Sequence, residues 1–244
     1  MGELCSGKRC SMRIVLVAFT ALAVSGCVSS PYVGTPYDRA SAGVTSIGMA
    51  EDSVPEKAIA LEAVSAGLQF GLVGALIDSG IQASRQDALN DALLTVQYDA
   101  ETQLEIYLAE RLRDMGYSVS MLPGEPRETR EYIKTYPLGD RPVDAYLDVV
   151  VREYGYHSAG ASLPFRPYAD ATVRLVDAES GSILMENAIV YNGMNPSEGV
   201  ITLSPNPEYA FTSREDLLGD PNRTAAGIQD ALNRIADTTA QFLR

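Results

Sequence analysis

The run Tyr168-Ala-Asp-Ala-Thr-Val-Arg-Leu-Val-Asp177, the link Asp177-Ala-Glu-Ser-Gly181 and the run Ile183-Leu-Met-Glu-Asn-Ala-Ile-Val-Tyr191 decide how this chain folds. In the first run Ala169, Ala171, Val173 and Leu175 alternate with Asp170, Thr172 and Arg174. A period of two puts the apolar set on one side of a pleated strand and the polar set on the other. The Asp-to-Gly link is turn chemistry, so the two runs predict a β-hairpin with one buried and one wet face. Residues 143–156 repeat the pattern, with Ala145, Leu147, Val149 and Val151 against Asp148, Arg152 and Tyr154. Such a sheet needs a cover.

Two helical patterns supply it. Asp99 stands as an N-cap before residues 100–115, where Leu104, Leu108, Leu112 and Met115 share a stripe and Gly116 follows as a stop. Asp220-Pro221 is an N-cap with a first-turn proline, and Ile228, Leu232, Ile235, Thr239 and Phe242 recur at helical spacing behind it. Residues 117–122 alternate as a strand, and residues 47–50 read as another. The order predicts an α+β class: a two-layer sandwich of helices on a mostly antiparallel sheet, as one domain over residues 47–244. Residues 123–142 read as an exposed excursion with a short helix at 129–134, and residues 192–218 as irregular. Ser84-Arg-Gln-Asp87 has capping-box spacing and predicts a helix start.

Gly67, Gly71 and Gly74 recur at i, i+4 and i+7 within the segment 66–80. On a helix they fall on one face, and each costs about 1 kcal/mol relative to alanine, so close approach of another backbone is the expected compensation. That backbone belongs either to the same domain or to a second copy or partner.

The N-terminus carries Lys8, Arg9 and Arg13, then the uncharged run 14–24, then Val24-Ser25-Gly26-Cys27. Eleven uncharged residues fall short of the roughly 20 needed to span a bilayer. Together the pieces resemble the signal peptide and lipobox of bacterial lipoproteins. The resemblance implies removal of residues 1–26 and lipidation of Cys27 with a diacylglyceryl group and an amide-linked acyl chain. Stable attachment takes more than one chain, so this arrangement anchors the protein. Residues 27–46, rich in Ser, Gly and Pro, would then be a flexible tether. In that family an aspartate after the cysteine favours inner-membrane retention. Val28 therefore implies the outer membrane, periplasmic face. The element order and the strand–Asp-x-x-x-Gly–strand hairpin are also similar to accessory lipoproteins of the curli-secretion and peptidoglycan-synthase-activator type. That second resemblance carries over no functional residue.

Charge narrows the function. Losing residues 1–26 removes three bases and one acid from totals of 19 and 32, which leaves 16 and 31, a net charge of −15. Nucleic acid is excluded as a partner, because its recognition requires basic residues to neutralise phosphates. Cys5 and Cys10 lie in the leader and Cys27 is the lipidation site, so no disulfide or thiolate metal site is available, and no cofactor motif is present. His157 is the one histidine, with no Gly-x-Ser-x-Gly elbow to serve. The aromatic loop around it holds Tyr154, Tyr156, Phe165, Arg166 and Tyr168, residue types that dominate interfaces; the alternative is that the rings pack over the sheet end. These residues, with the three glycines, are the candidate contacts of a non-enzymatic accessory or structural component of an envelope protein complex, whose partner is a periplasmic protein or another copy of the chain. The rival readings are a hydrolase or glycan-binding protein with an acidic cleft, and a lipid carrier with an apolar cavity.

Overall fold

In the computed structural model the described residues are 34–62, 71–123, 127, 129–136, 142–160, 162–193 and 198–244, with side chains left out over 71–82. Cys27, Gly67 and the signal peptide lie outside them. Residues Pro31–Arg244 form one compact unit. Its strands are β1 (Ser46–Ala50), β2 (Ile59–Glu62), β3 (Ser118–Leu122), β4 (Ala145–Ser158), β5 (Arg166–Asp177), β6 (Ile183–Tyr191) and β7 (Val200–Leu203). The helices are α1 (Arg39–Ala42), α2 (Gly71–Thr95), α3 (Ala100–Asp114), α4 (Arg214–Gly219) and α5 (Pro221–Phe242).

All seven strands join one sheet in the order β3-β1-β4-β5-β6-β7, with β2 on the far end of β4's edge. The long ladders, β4–β5 and β5–β6, are antiparallel, and the short flanking ones are parallel. Helices α3 and α5 pack over the apolar face, as the stripes require. The α5 stripe buries Ile228, Leu232, Ile235 and Thr239, and the α3 stripe buries Leu104, Leu108 and Leu112. Asp237 fastens the two helices, accepting from Arg111 Nε at 2.8 Å and Tyr107 Oη at 3.2 Å. The α+β sandwich expected from the sequence is the observed architecture.

Five local expectations need correction. Helix α2 runs through Ser84 without a break, so the capping-box spacing there lies inside a helix. Strands β2 and β7 and helix α4 fill stretches too short to show a period. No helix forms over 129–134; instead this excursion is bound to the outer sheet face. Residues 35–46 are likewise fastened. Thr35 exchanges backbone hydrogen bonds with Glu186 at 3.0 and 3.3 Å, and the Arg39 guanidinium lies 4.2 Å from the Tyr117 ring centroid. Residues 35–46 of the expected tether are therefore held by the fold. Finally, Tyr154 is on the helix-facing side. A bulge between Val151 and Glu153 inserts Arg152 as an extra residue in β4, which reverses the alternation beyond it.

Among the described residues no helix is long and apolar enough to cross a membrane.

Candidate functional site

The aromatic loop predicted from the sequence lies where β4 and β5 end, and the bulge sorts its rings onto two faces. Tyr154 and Tyr156 turn inward and join the core. Tyr156 is wholly buried, its hydroxyl 3.3 Å from Thr224 O and its ring edge-on to Phe211 at 5.6 Å. Phe165 exchanges backbone hydrogen bonds with Phe211 at 2.8 and 2.9 Å. These three rings pack over the sheet end, so they are not a contact surface of the folded chain. Gly155 between them has φ +139°, and an added Cβ would overlap the Ile59 carbonyl oxygen; its missing side chain lets β2 pair.

His157, Tyr168 and Arg166 fall on the other face. Opposed to Gly155, Tyr168 stacks on the His157 ring with centroids 3.6 Å apart and planes at 15°. His157 is 5% exposed, and neither ring nitrogen has a hydrogen-bond partner among the described residues. The loop beyond it is closed by Ser158, whose hydroxyl lies 2.8 Å from the carbonyls of Gly160 and Leu163. His157, Ala159, Leu163, Pro164, Arg166 and Asn192 then line a cavity of about 190 Å³. Arg166 is exposed, and Leu163 is half-exposed. Gly71 and Gly74 lie in α2, whose side chains are not described there.

Among the described residues no acid or hydroxyl is hydrogen-bonded to His157, the contact by which a nucleophile's general base is oriented. Burial alone pushes its pKa down to about 4, which keeps the imidazole neutral. Among the described residues no cluster of His, Cys, Asp and Glu could hold a metal ion.

The sequence reading missed a pair of carboxyls at the other end of the helix layer. Glu101 accepts from the backbone amides of Ser53 and Val54 at 2.7 and 2.5 Å. Glu105, one turn on, is driven up to about 8 by burial and by its hydrogen bond to Glu101. The i, i+4 spacing of two acids was the only signal. Both shifts make the fold pH-sensitive. Glu105 holds a proton in the folded state that an unfolded carboxyl has lost, so its stabilisation is complete below about 4.5 and disappears as pH rises through about 8. His157 works in the other sense: the unfolded imidazole takes up a proton below about 6.5 and the folded one resists it down to about 4. Thermal melts should show the two contributions offsetting each other between about pH 4.5 and 6.5, with stability falling above that window towards 8 and below it towards 4. Glu105→Gln should flatten the alkaline limb and His157→Phe the acid limb. Unchanged limbs in the two variants would show that other groups govern the profile.

No protein-family model matches the chain, and no curated protein matches it. Solved structures do. A PelC dodecamer from Paraburkholderia phytofirmans is 12% identical, with 82% of this chain and 86% of that one covered at a TM-score of 0.35. A Xanthomonas campestris protein of the DUF330 family is 14% identical, covering 59% and 61% at a TM-score of 0.37. Likeness at this level carries no functional argument, so the reading below rests on the chain's own residues.

Proposed function

We propose that this chain is a lipid-anchored accessory protein of a bacterial cell-envelope complex, held by acyl chains on Cys27 at the periplasmic face of the outer membrane and binding a protein partner rather than turning over a substrate. The observation that carries it is the lipobox Val24-Ser25-Gly26-Cys27 behind a basic start and an apolar run. The fastened N-terminal segment supports it. Seven residues separate Cys27 from Thr35, so an extended chain of eight Cα-to-Cα steps between them reaches about 28 Å at most. An anchored domain of this kind works close to the leaflet. The neutral His157, without a hydrogen-bond partner among the described residues, favours binding over catalysis. Arg166, exposed on the outer face, and Gly67, Gly71 and Gly74 around the start of α2, are the proposed contact positions for an envelope protein or a second copy; Tyr168, 9% exposed and stacked on His157, is too buried to join them.

The test is direct. Mass spectrometry of protein isolated from membranes should give Cys27 as the first residue, bearing fatty acid, and Cys27→Ala should move the protein to the soluble fraction. A first residue upstream of 27, or no fatty acid, overturns the reading.

A further inference from the structure

The cavity beside His157 has a shape and polarity of its own. At about 190 Å³ it holds one functional group with a short stem rather than a whole ligand, since small-molecule sites run from roughly 300 Å³ upward. Its walls are unequal. Ala159, Leu163 and Pro164 are apolar, whereas Arg166, Asn192 and His157 bring polar groups to the same space. We propose that this cavity binds a single carboxylate on a short apolar stem, with Arg166, Asn192 and His157 as its polar partners. The proposal deepens the partner-binding reading above and rests on it only for the source of the carboxylate.

The first support is His157. Buried polar atoms are almost always paired, and here both ring nitrogens are left without a partner while one ring face is taken by Tyr168. His157 lines the cavity, and a neutral imidazole offers one N–H donor and one acceptor. The second is Arg166, whose guanidinium makes no ion pair among the described residues, although Arg152 nearby is paired to Asp170. A guanidinium matches a carboxylate in bidentate fashion.

Competing ligand classes fit less well. A cation would meet Arg166. A phosphate dianion would bring two charges to one guanidinium, beside the carboxylates of Glu153 and Asp170, whose fields reach Tyr168. A sugar ring stacks on an aromatic face, and the one tyrosine packed against His157, Tyr168, does not line the cavity.

His157 is the sole histidine of the sequence, so its imidazole signals are unambiguous in NMR spectra of the full chain. Sodium butyrate should shift them on titration, as should a short peptide with a free C-terminal carboxylate, while the same peptide as its C-terminal amide should not. Arg166→Gln, at an exposed position, should keep the melting temperature and weaken the response about tenfold or more. His157→Phe, which keeps a ring on Tyr168, should abolish binding by calorimetry. A response to butyrate alone assigns the site to free short-chain acids, and a response to the peptide alone assigns it to a protein terminus. No shift with either probe, or an equal shift in Arg166→Gln, overturns the proposal. Membrane attachment through Cys27 would be untouched by that failure, so the two readings fall separately.

Discussion

Asp148→Ala is expected to cost about 3–5 kcal/mol of stability, the range for removing one member of a buried ion pair. Asp148 is wholly buried, and Arg127 beside it is 5% exposed by its side chain, with 2.8 Å between them. The carboxylate also accepts from Ile133 N at 2.8 Å and Tyr136 Oη at 3.2 Å. Alanine would leave the Ile133 amide and the Tyr136 hydroxyl without this acceptor and the guanidinium without a counter-charge in a dry site, with only the carbonyls of Glu131 and Glu51 still accepting from it. The excursion should then leave the sheet, since Tyr136 stacking on Tyr146 at 4.9 Å and the Arg174 guanidinium 3.9 Å from the Tyr132 ring centroid depend on its course. Two measurements check this. The urea midpoint should fall, and trypsin should cut after Arg127, Arg130 and Lys134 in the variant under conditions that spare the parent. The paired change Arg127→Met with Asp148→Leu should recover most of the loss, because replacing both members with apolar groups removes the desolvation cost together with the attraction. A stable, protease-resistant Asp148→Ala protein would show that the excursion is held by something else.

Gly227→Ala should also destabilise, against the direction that helix propensity indicates. In the middle of α5, alanine is worth about 1 kcal/mol over glycine. Here an added Cβ would overlap Tyr156 Oη and stand 2.8 Å from Tyr209 Cβ and 3.0 Å from Pro167 Cγ. None of the three can give way cheaply: Tyr156 is wholly buried, Pro167 is in β5, and the Tyr209 atom is next to backbone. Helix α5 would have to lift from the sheet. Overpacking of this kind costs about 1–3 kcal/mol and sometimes more, so a net loss of about 2 kcal/mol is expected. Tyr156→Phe removes the worst overlap and should reduce the penalty of Gly227→Ala in a double-mutant cycle by about 1 kcal/mol. If the two changes are simply additive, the tyrosine hydroxyl is not what the glycine accommodates.

The same region shows what the sequence could and could not convey. The β5–β6 hairpin was legible because period-two alternation on both arms agreed with the turn between them, and β6 spans Ile183–Tyr191 as read. Helices α3 and α5 were legible because stripe, N-cap and stop signals coincided. Tyr154 was assigned to the wrong face because one inserted residue, Arg152, reverses every side chain after it, and nothing in the composition announces a bulge. Asp148 was read as solvated by the same alternation rule. Its setting in the run Leu147-Asp148-Val149-Val150-Val151 held the contrary signal, since the neighbouring outward position, Val150, is apolar too. Burial of both faces at that point requires a cover, and the excursion is that cover. His157 was expected in a solvated loop because strand β4 continues two residues past the last alternating position. The cavity beside it depends on how residues from β4, β5 and the end of β6 meet in space, which one-dimensional spacing does not encode.

Pairing in this sheet runs backwards along the chain. Ser46 pairs with Ser118, Ile47 with Ala145, Ile59 with Gly155, and Thr35 with Glu186. A ribosome that has reached residue 140 has therefore made β1, β2 and β3, while β4, which both β1 and β2 pair with, does not yet exist. Until β4 emerges β1 has only β3 to pair with and β2 has no partner strand, so this part of the polypeptide waits as a largely open thread, because long-range pairings repay their closure entropy late. A translocation pore passes such a thread readily, and a product truncated before residue 191 should be cleared by proteases instead of accumulating as a smaller folded species.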